Sequence, residues 1–377
     1  MAARPATRRP PAPPAAPAPR PPVRDFTGGA PYLIEWDVRT AYDFLFCLSG
    51  DAGSTEDLPA ADRAWLTDAR ASLPQELQPS VSRLFDTELA MHTLPMVLGR
   101  PDIRTSSEFL AFLGDASPGD VVRSIVSTAN DASTLEDLLG RLESGDDSVI
   151  PDIESCLPEH KRDAQMAVIR DPEGAYAEIM TVLTVWQERF DPIEERIQRL
   201  IERDYSLRAE DRTSLAPTDL IERTTGGIRW LPEPGVRRVI LAPSYFTRPY
   251  NFIFAGPDWR FFGYPLADAA LDSDDPLAPP QAVIRLHRAL GDETRMRILK
   301  LLAGRDLYLT EIAQHLDLSK PTIKHHLALL RAAGLVTVTE SGTMMYYTLR
   351  REPLESASIE LRSFLIGPAR DAATRPA

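Results

Sequence analysis

The stretch DLSKPTIKHHLALLRAAGLV, residues 317–336, places a serine, a lysine and a proline ahead of an apolar helix that carries two adjacent histidines. Ser319 has the chemistry of an N-cap, because its hydroxyl can satisfy backbone amides left free in the first turn. Pro321 is tolerated there because no amide at that point needs a helical partner. Ile323, Leu327 and Leu330 recur at spacings of four and three and so share one face, predicted to pack inward. With successive residues about 100° apart around the axis, Pro321, His325 and Ala328 point the opposite way, flanked by Lys320, Thr322 and Lys324. A small, basic outward face is what a helix needs to enter a major groove. The preceding stretch LTEIAQHL, helical from Thr310, and the tight Asp317–Leu318 connection supply the first half of a helix-turn-helix.

Working outward, Ala282–Ala289 and Thr294–Leu302 read as two earlier helices of the same module. Leu335–Thr339 and Met344–Leu349 read as two strands whose connection, Glu340, Ser341 and Gly342, suits a hairpin tip. PLESASIELRSFLI closes the module as a last amphipathic helix.

At these residues the chain resembles the ArsR family of transcriptional regulators. The likeness covers about Val283 to Arg351 and is carried by LHRALGDETRMRILKLL, LTEIAQHLDLSKPTIKHHLALLRAAGLV and VTVTESGTMMYYTLR, in the family's order. It implies a winged helix-turn-helix that binds double-stranded DNA at an inverted-repeat operator as a homodimer. The helices around Val283–Leu290 and Leu354–Leu365 would form the dimer contact. The implied groove contacts fall on Lys320, Pro321, Lys324 and His325, with Ser319 and Thr322 near phosphates. His326 is expected on the packed side, as a structural hydrogen-bonding group or a phosphate contact. In the wing, Ser341, Gly342 and Thr343 stand where the family commonly has a basic residue, so backbone amides are left to make any contact. The family's thiolate metal site would fall on DLYLTEI, where Tyr308 and Thr310 offer no thiolate, and the last helix contains no histidine. No metal and no cofactor is therefore expected.

Charge is segregated along the chain. The formal net charge is −13, yet residues 285–351 hold eleven Lys and Arg against six Asp and Glu, a balance of +5, leaving 31 against 49, or −18, elsewhere. An acidic body with one basic module fits a protein that meets phosphates at its C-terminal part.

The rest of the chain divides by composition. Residues 1–24 hold nine prolines, five arginines and no acid, and are expected to be an extended tail; residues 367–377 are expected to be a second. Residues 31–271 read as a mainly helical regulatory or effector domain, followed by a linker at 272–280 and the winged module at 281–366. Helical spacing is plain in WDVRTAYDFLFCL, DRAWLTDARASL and TLEDLLGRLES, and Ala175–Tyr205 reads as one long helix or two meeting at Pro192. RRVILAP, YNFIFAG and WRFFGYPL read as a small antiparallel meander. Through APSYFTRPYNFIFAGPDWRFFGYPL this domain also resembles the uncharacterised N-terminal domain attached to some bacterial members of the family. The predicted fold class is thus mainly α, with a small β meander and a C-terminal winged helix-turn-helix.

Other function classes find little support. His92 and His160 are the histidines of residues 31–275, no nucleophile elbow, phosphate loop or zinc-protease motif occurs, and Glu194, Glu195 and Glu202 read as a solvated helix face. An enzyme or a partner-binding scaffold fused to the DNA-binding module is the alternative reading. The aromatic run from Tyr245 through Tyr250 to Phe262 is expected to fill the meander core, the other use being a pocket for a small-molecule effector; a protein effector is the further option. Cys47 and Cys156 fit no ligand spacing and are expected to be buried reduced thiols. No run approaches the roughly 18 apolar residues of a membrane span and residues 1–24 lack a signal core, so no membrane partner is expected and a cytoplasmic, nucleoid-associated location is.

Overall fold

A computed structural model describes residues 32–49, 57–86, 88–126, 132–159, 161–248, 250–271, 277, 279–341 and 344–366. The expected tails at 1–24 and 367–377, most of the 272–280 linker, His160 and the wing-tip residues Gly342 and Thr343 lie outside the described residues.

Two four-stranded sheets organise the chain. Strands β1 (Leu33–Trp36), β3 (Arg238–Ser244), β4 (Phe252–Ala255) and β5 (Trp259–Pro265) form the first, in the order β1-β3-β5-β4. Antiparallel pairing, expected throughout, holds only for β4 with β5; β1 with β3 and β3 with β5 run parallel. β1 is separated from its partner by some two hundred residues, a connection long enough to allow the parallel pairing that a tight hairpin would forbid.

This sheet has a core on each face. Ile240 and Ala242 of β3, Phe252 of β4 and Phe261 of β5 join the helical body's core, with Trp186, Phe190 and Phe44. Val239 and Leu241 of β3, with Phe262 and Tyr264 of β5, join the core that contains Leu286, Ile298, Ile323 and Leu330 of the winged module. The alternation follows from the two-residue period of a strand, and it makes the sheet the middle layer between body and module.

The body is helical, as expected. Its longest element, Pro172–Leu207, has 36 residues and passes through Pro192 without ending. An interior proline costs about 3 kcal/mol or more, and the buried Ile179, Leu183, Trp186 and Phe190 before it, with Ile197 and Ile201 after it, offset that cost through packing. Glu194 is not merely solvated: it accepts from the Ser106 amide at 2.7 Å and the Ser106 hydroxyl at 2.6 Å, tying the long helix to the start of helix Ser106–Asp115. Cys47 is buried beside Trp186 Nε1, whereas Cys156 is only half-buried. His92 is packed edge-on to Phe254, and burial holds its imidazole down at about 4.

The second sheet is the wing. Strands β6 (Leu307–Tyr308), β7 (Val336–Ser341) and β8 (Met344–Leu349) belong to the module, and the body adds β2 (Ile228–Trp230), giving the order β2-β7-β8-β6. β2 runs parallel to β7 with Ile228 opposite Val338, and the Val338 amide donates to Gly227 O at 2.8 Å. Gly227 has φ +106°, and a β-carbon there would stand 3.3 Å from the Val336 carbonyl, so the close approach of the two strands depends on glycine.

A side chain locks the same joint. Arg331, at the end of helix Lys320–Ala332, is buried and donates through Nη1 to Thr225 O at 2.9 Å; burial pulls its guanidinium down to about 10. The sequence boundary at 272–280 therefore does not separate two independently packed bodies: core, sheet and a buried cation all cross it.

Candidate nucleic-acid interface

The module's helices assemble around the apolar face of Lys320–Ala332. Ile323, Leu327 and Leu330 of that helix are buried, as the spacing predicts, together with Ile312, Ala313 and Leu316 of helix Leu309–Leu316. The two helices meet at Asp317, whose φ of +55° is the left-handed conformation that Asp tolerates better than most residues. Leu318 N donates back to Ala313 O at 3.1 Å, closing the turn.

Ser319 caps the second helix, with the Thr322 amide donating to its hydroxyl at 3.3 Å. The Ser319 and Thr322 hydroxyls are also 2.7 Å apart and hydrogen-bonded to each other. Ser319, Lys320, Pro321, Thr322, Lys324 and His325 are all exposed, so the helix presents one continuous stripe with two ammonium groups a turn apart.

His326 does not join this stripe. Its half-buried ring lies with Nδ1 3.9 Å from Asp292 Oδ1, and Asp292 itself caps helix Glu293–Leu302 by accepting from the Arg295 amide at 2.8 Å. Burial lowers the pKa of His326, against an upward pull from Asp292. Ser341 is the last residue of β7, and Gly342 lies outside the described residues.

Reasoning from sequence missed one neighbour of the stripe. Tyr250, in the connection from β3 to β4, places its hydroxyl 2.7 Å from His325 Nδ1. It belongs to the aromatic run expected to fill the meander core, and five members of that run, Tyr245, Phe246, Phe252, Phe261 and Phe262, are buried as expected. Tyr250 is half-buried and faces the module instead. No spacing rule links positions 75 residues apart.

Of the two positions that stand in place of the family's thiolates, Thr310 is exposed and Tyr308 is half-buried. The Tyr308 ring lies tilted against Tyr346 with centroids 4.3 Å apart, and the Tyr308 amide donates to Glu311 at 2.9 Å. Among the described residues no three His, Cys, Asp or Glu side chains come together in a way that could hold a metal ion. Elsewhere, a cleft of about 530 Å³ opens beside β1, lined by Trp36, Arg39, Arg104, Tyr205 and Arg238 among others. Two of its ion pairs lie within the lining: Arg238 with Glu35 at 2.7 Å, and Arg39 with Asp37.

A capped helix with an inward apolar face, a tight turn from the helix before it and a β-hairpin wing behind it define a winged helix-turn-helix, the DNA-binding module of bacterial transcriptional regulators. The model of the family described as "Bacterial regulatory protein, arsR family" matches residues 292–338, and the chain belongs to that family.

The relatives named here each match about a fifth of the chain. The transcriptional repressor SdpR of Bacillus subtilis is 36% identical over 78 residues, which are 21% of this chain and 87% of that protein. The regulator KmtR of Mycobacterium tuberculosis is 35% identical over 23% of this chain and 68% of its own length. The transcriptional activator HlyU of Vibrio cholerae is 36% identical over 22% and 73%. Among solved structures, reduced HlyU is 33% identical, covering 23% of this chain and 90% of its own, with a TM-score of 0.19. Among the described residues no helix is long and apolar enough to cross a membrane.

Proposed function

We propose that the protein is a homodimeric, operator-specific regulator that reads DNA with Lys320, Pro321, Lys324 and His325, anchors to phosphates near Ser319 and Thr322, and has its affinity set by the helical body rather than by a metal. The observation that carries this reading is the exposed basic stripe on the capped helix, opposite the buried Ile323, Leu327 and Leu330. Lysine ammonium groups donate to guanine O6 and N7 or to phosphate oxygens, and an imidazole N–H donates to base acceptors. The body's influence is supported by its share in the module's core, by β2 in the wing sheet and by Arg331 held on Thr225. An effector of that body, a small molecule or a protein, would act through this joint.

The dimer contact is supported by helix Glu352–Ile366, where Ile359 is 67% and Ile366 74% exposed. Helix Gln281–Leu290, the other expected contributor, turns Val283, Leu286 and Ala289 inward and has less to offer a partner.

The test is binding to an operator recovered by mapping bound genomic fragments, against a scrambled duplex. Lys324→Ala or His325→Ala is expected to cost about 1 to 3 kcal/mol on the operator while changing the scrambled duplex much less. Thr322→Ala, at a phosphate position, is expected to weaken both by similar factors. Equal losses on both duplexes for Lys324→Ala and His325→Ala would reduce the helix to an electrostatic anchor.

A second expected result concerns metal. With Tyr308 packed against Tyr346 and Thr310 in place of a thiolate, zinc, cadmium or arsenite should leave operator affinity unchanged. A metal-induced shift of tenfold or more, about 1.4 kcal/mol, measured by titration after chelation of adventitious ions, would refute the metal-independent reading.

A further inference from the structure

We infer that Tyr250 is a positioning residue of the DNA-reading face: its hydroxyl donates to His325 Nδ1, which puts the proton of the neutral ring on Nε2 and presents a fixed N–H donor to the groove. The inference rests on the proposal that His325 faces base edges.

Two observations support it. The first is that Tyr250 stands on a rigid mount. Its amide donates to Thr247 O at 2.7 Å, and Thr247 is buried. The neighbouring Arg248 is 1% exposed and pairs at 3.3 Å with Asp268, which also accepts from Arg285 of helix Gln281–Leu290. Body and module thus hold this connection from both sides, and the 2.7 Å contact to His325 is not the chance reach of a loose side chain.

The second is that Tyr250 reaches His325 without burying the stripe. Lys320, Pro321, Thr322, Lys324 and His325 itself all remain exposed. A blocking contact would bury them; a positioning contact leaves the groove side free.

The direction of the hydrogen bond follows from the groups. An sp² imidazole nitrogen is a strong acceptor and a phenol a good donor, and the nitrogen that accepts cannot carry the proton. Nε2–H then matches guanine O6 or N7, adenine N7 or thymine O4 in the major groove, and rejects the donor N–H of cytosine N4 or adenine N6. Unconstrained, the ring could swap tautomers and read either kind of edge.

The experiment selects bound duplexes from a random-sequence pool with the full chain and with Tyr250→Phe and His325→Ala. In His325→Ala one position of each half-site should lose its base preference. Tyr250→Phe should relax that same position by about threefold to tenfold, the worth of one neutral hydrogen bond, with affinity for a scrambled duplex unchanged within about twofold. A change that merely loosened the fold would lower binding to every sequence.

Nitrogen-15 NMR of the His325 ring in the unmutated protein at pH 8, without DNA, supplies a readout that needs no variant. Nε2–H is expected, and Nδ1–H or an even mixture would overturn the inference. So would full retention of base preference in Tyr250→Phe while His325→Ala loses it, or tighter binding of Tyr250→Phe to all duplexes, the mark of an inhibitory contact. If the unmutated protein selects no sequence and His325→Ala is silent as well, the groove-reading proposal fails and this inference with it.

Discussion

Arg331→Ala is expected to destabilise the protein by about 2 to 5 kcal/mol, the combined cost of a cavity at a buried position and of a buried carbonyl left without its donor. The substitution removes a buried side chain at the seam of body and module and leaves the Thr225 carbonyl without the donor now 2.9 Å away. Arg331→Met separates the two contributions, because it refills most of the volume and still leaves that carbonyl unpaired, a cost of about 1 to 3 kcal/mol. Urea unfolding of the three proteins, followed by circular dichroism and by tryptophan fluorescence, would measure both. Trp230 in β2 and Trp186 in the body report from different sides of the sheet. Coincident transitions in the unmutated chain are expected, since the second core draws on both parts. A module that melts separately, with Arg331→Ala no worse than a surface substitution, would contradict the joint as described.

Ile323→Ala is expected to cost about 2 to 5 kcal/mol of stability and to leave the operator affinity of the folded fraction intact. Ile323 is fully buried one residue before Lys324 and two before His325, so the same turn of helix carries a packing residue and two reading residues. Melting curves paired with titrations on operator and scrambled DNA check the division of labour. A loss of operator affinity larger than the unfolded fraction explains would mean that the helix face is rotated relative to the one described.

The winged module was legible because its signals are local. Cap, turn and a face repeating at three and four residues lie within some twenty consecutive positions, and the structure places Ser319, Ile323, Leu327 and Leu330 where that pattern puts them. The body's helices were legible for the same reason, and the long one runs through Pro192 because packing on both sides outweighs a local breaker.

Tertiary pairing was not legible. LIEW and IRW, the segments of β1 and β2, are four and three residues long, too short for a period-two pattern to stand out from helix or loop. The continuous apolar run in RRVILAP is what a strand buried on both faces shows, but nothing in it names the partner, which lies some two hundred residues upstream. Arg331 reads from its sequence as one more cation of a basic module; it is the carbonyl of Thr225, a hundred positions upstream, that makes it a buried one. Tyr250 escaped for a like reason, its partner lying in another element.

The strand that the body lends to the wing also has a protective consequence. A sheet ending in the six-residue β7 would present a run of unpaired amides and carbonyls, an invitation to edge-to-edge aggregation. β2 covers that rim along Val338, Thr339 and Glu340, and the sheet's opposite border is β6, only two residues long. Neither border offers a newcomer a long ladder of hydrogen bonds, so growth of this sheet from one molecule into the next is disfavoured by its own construction.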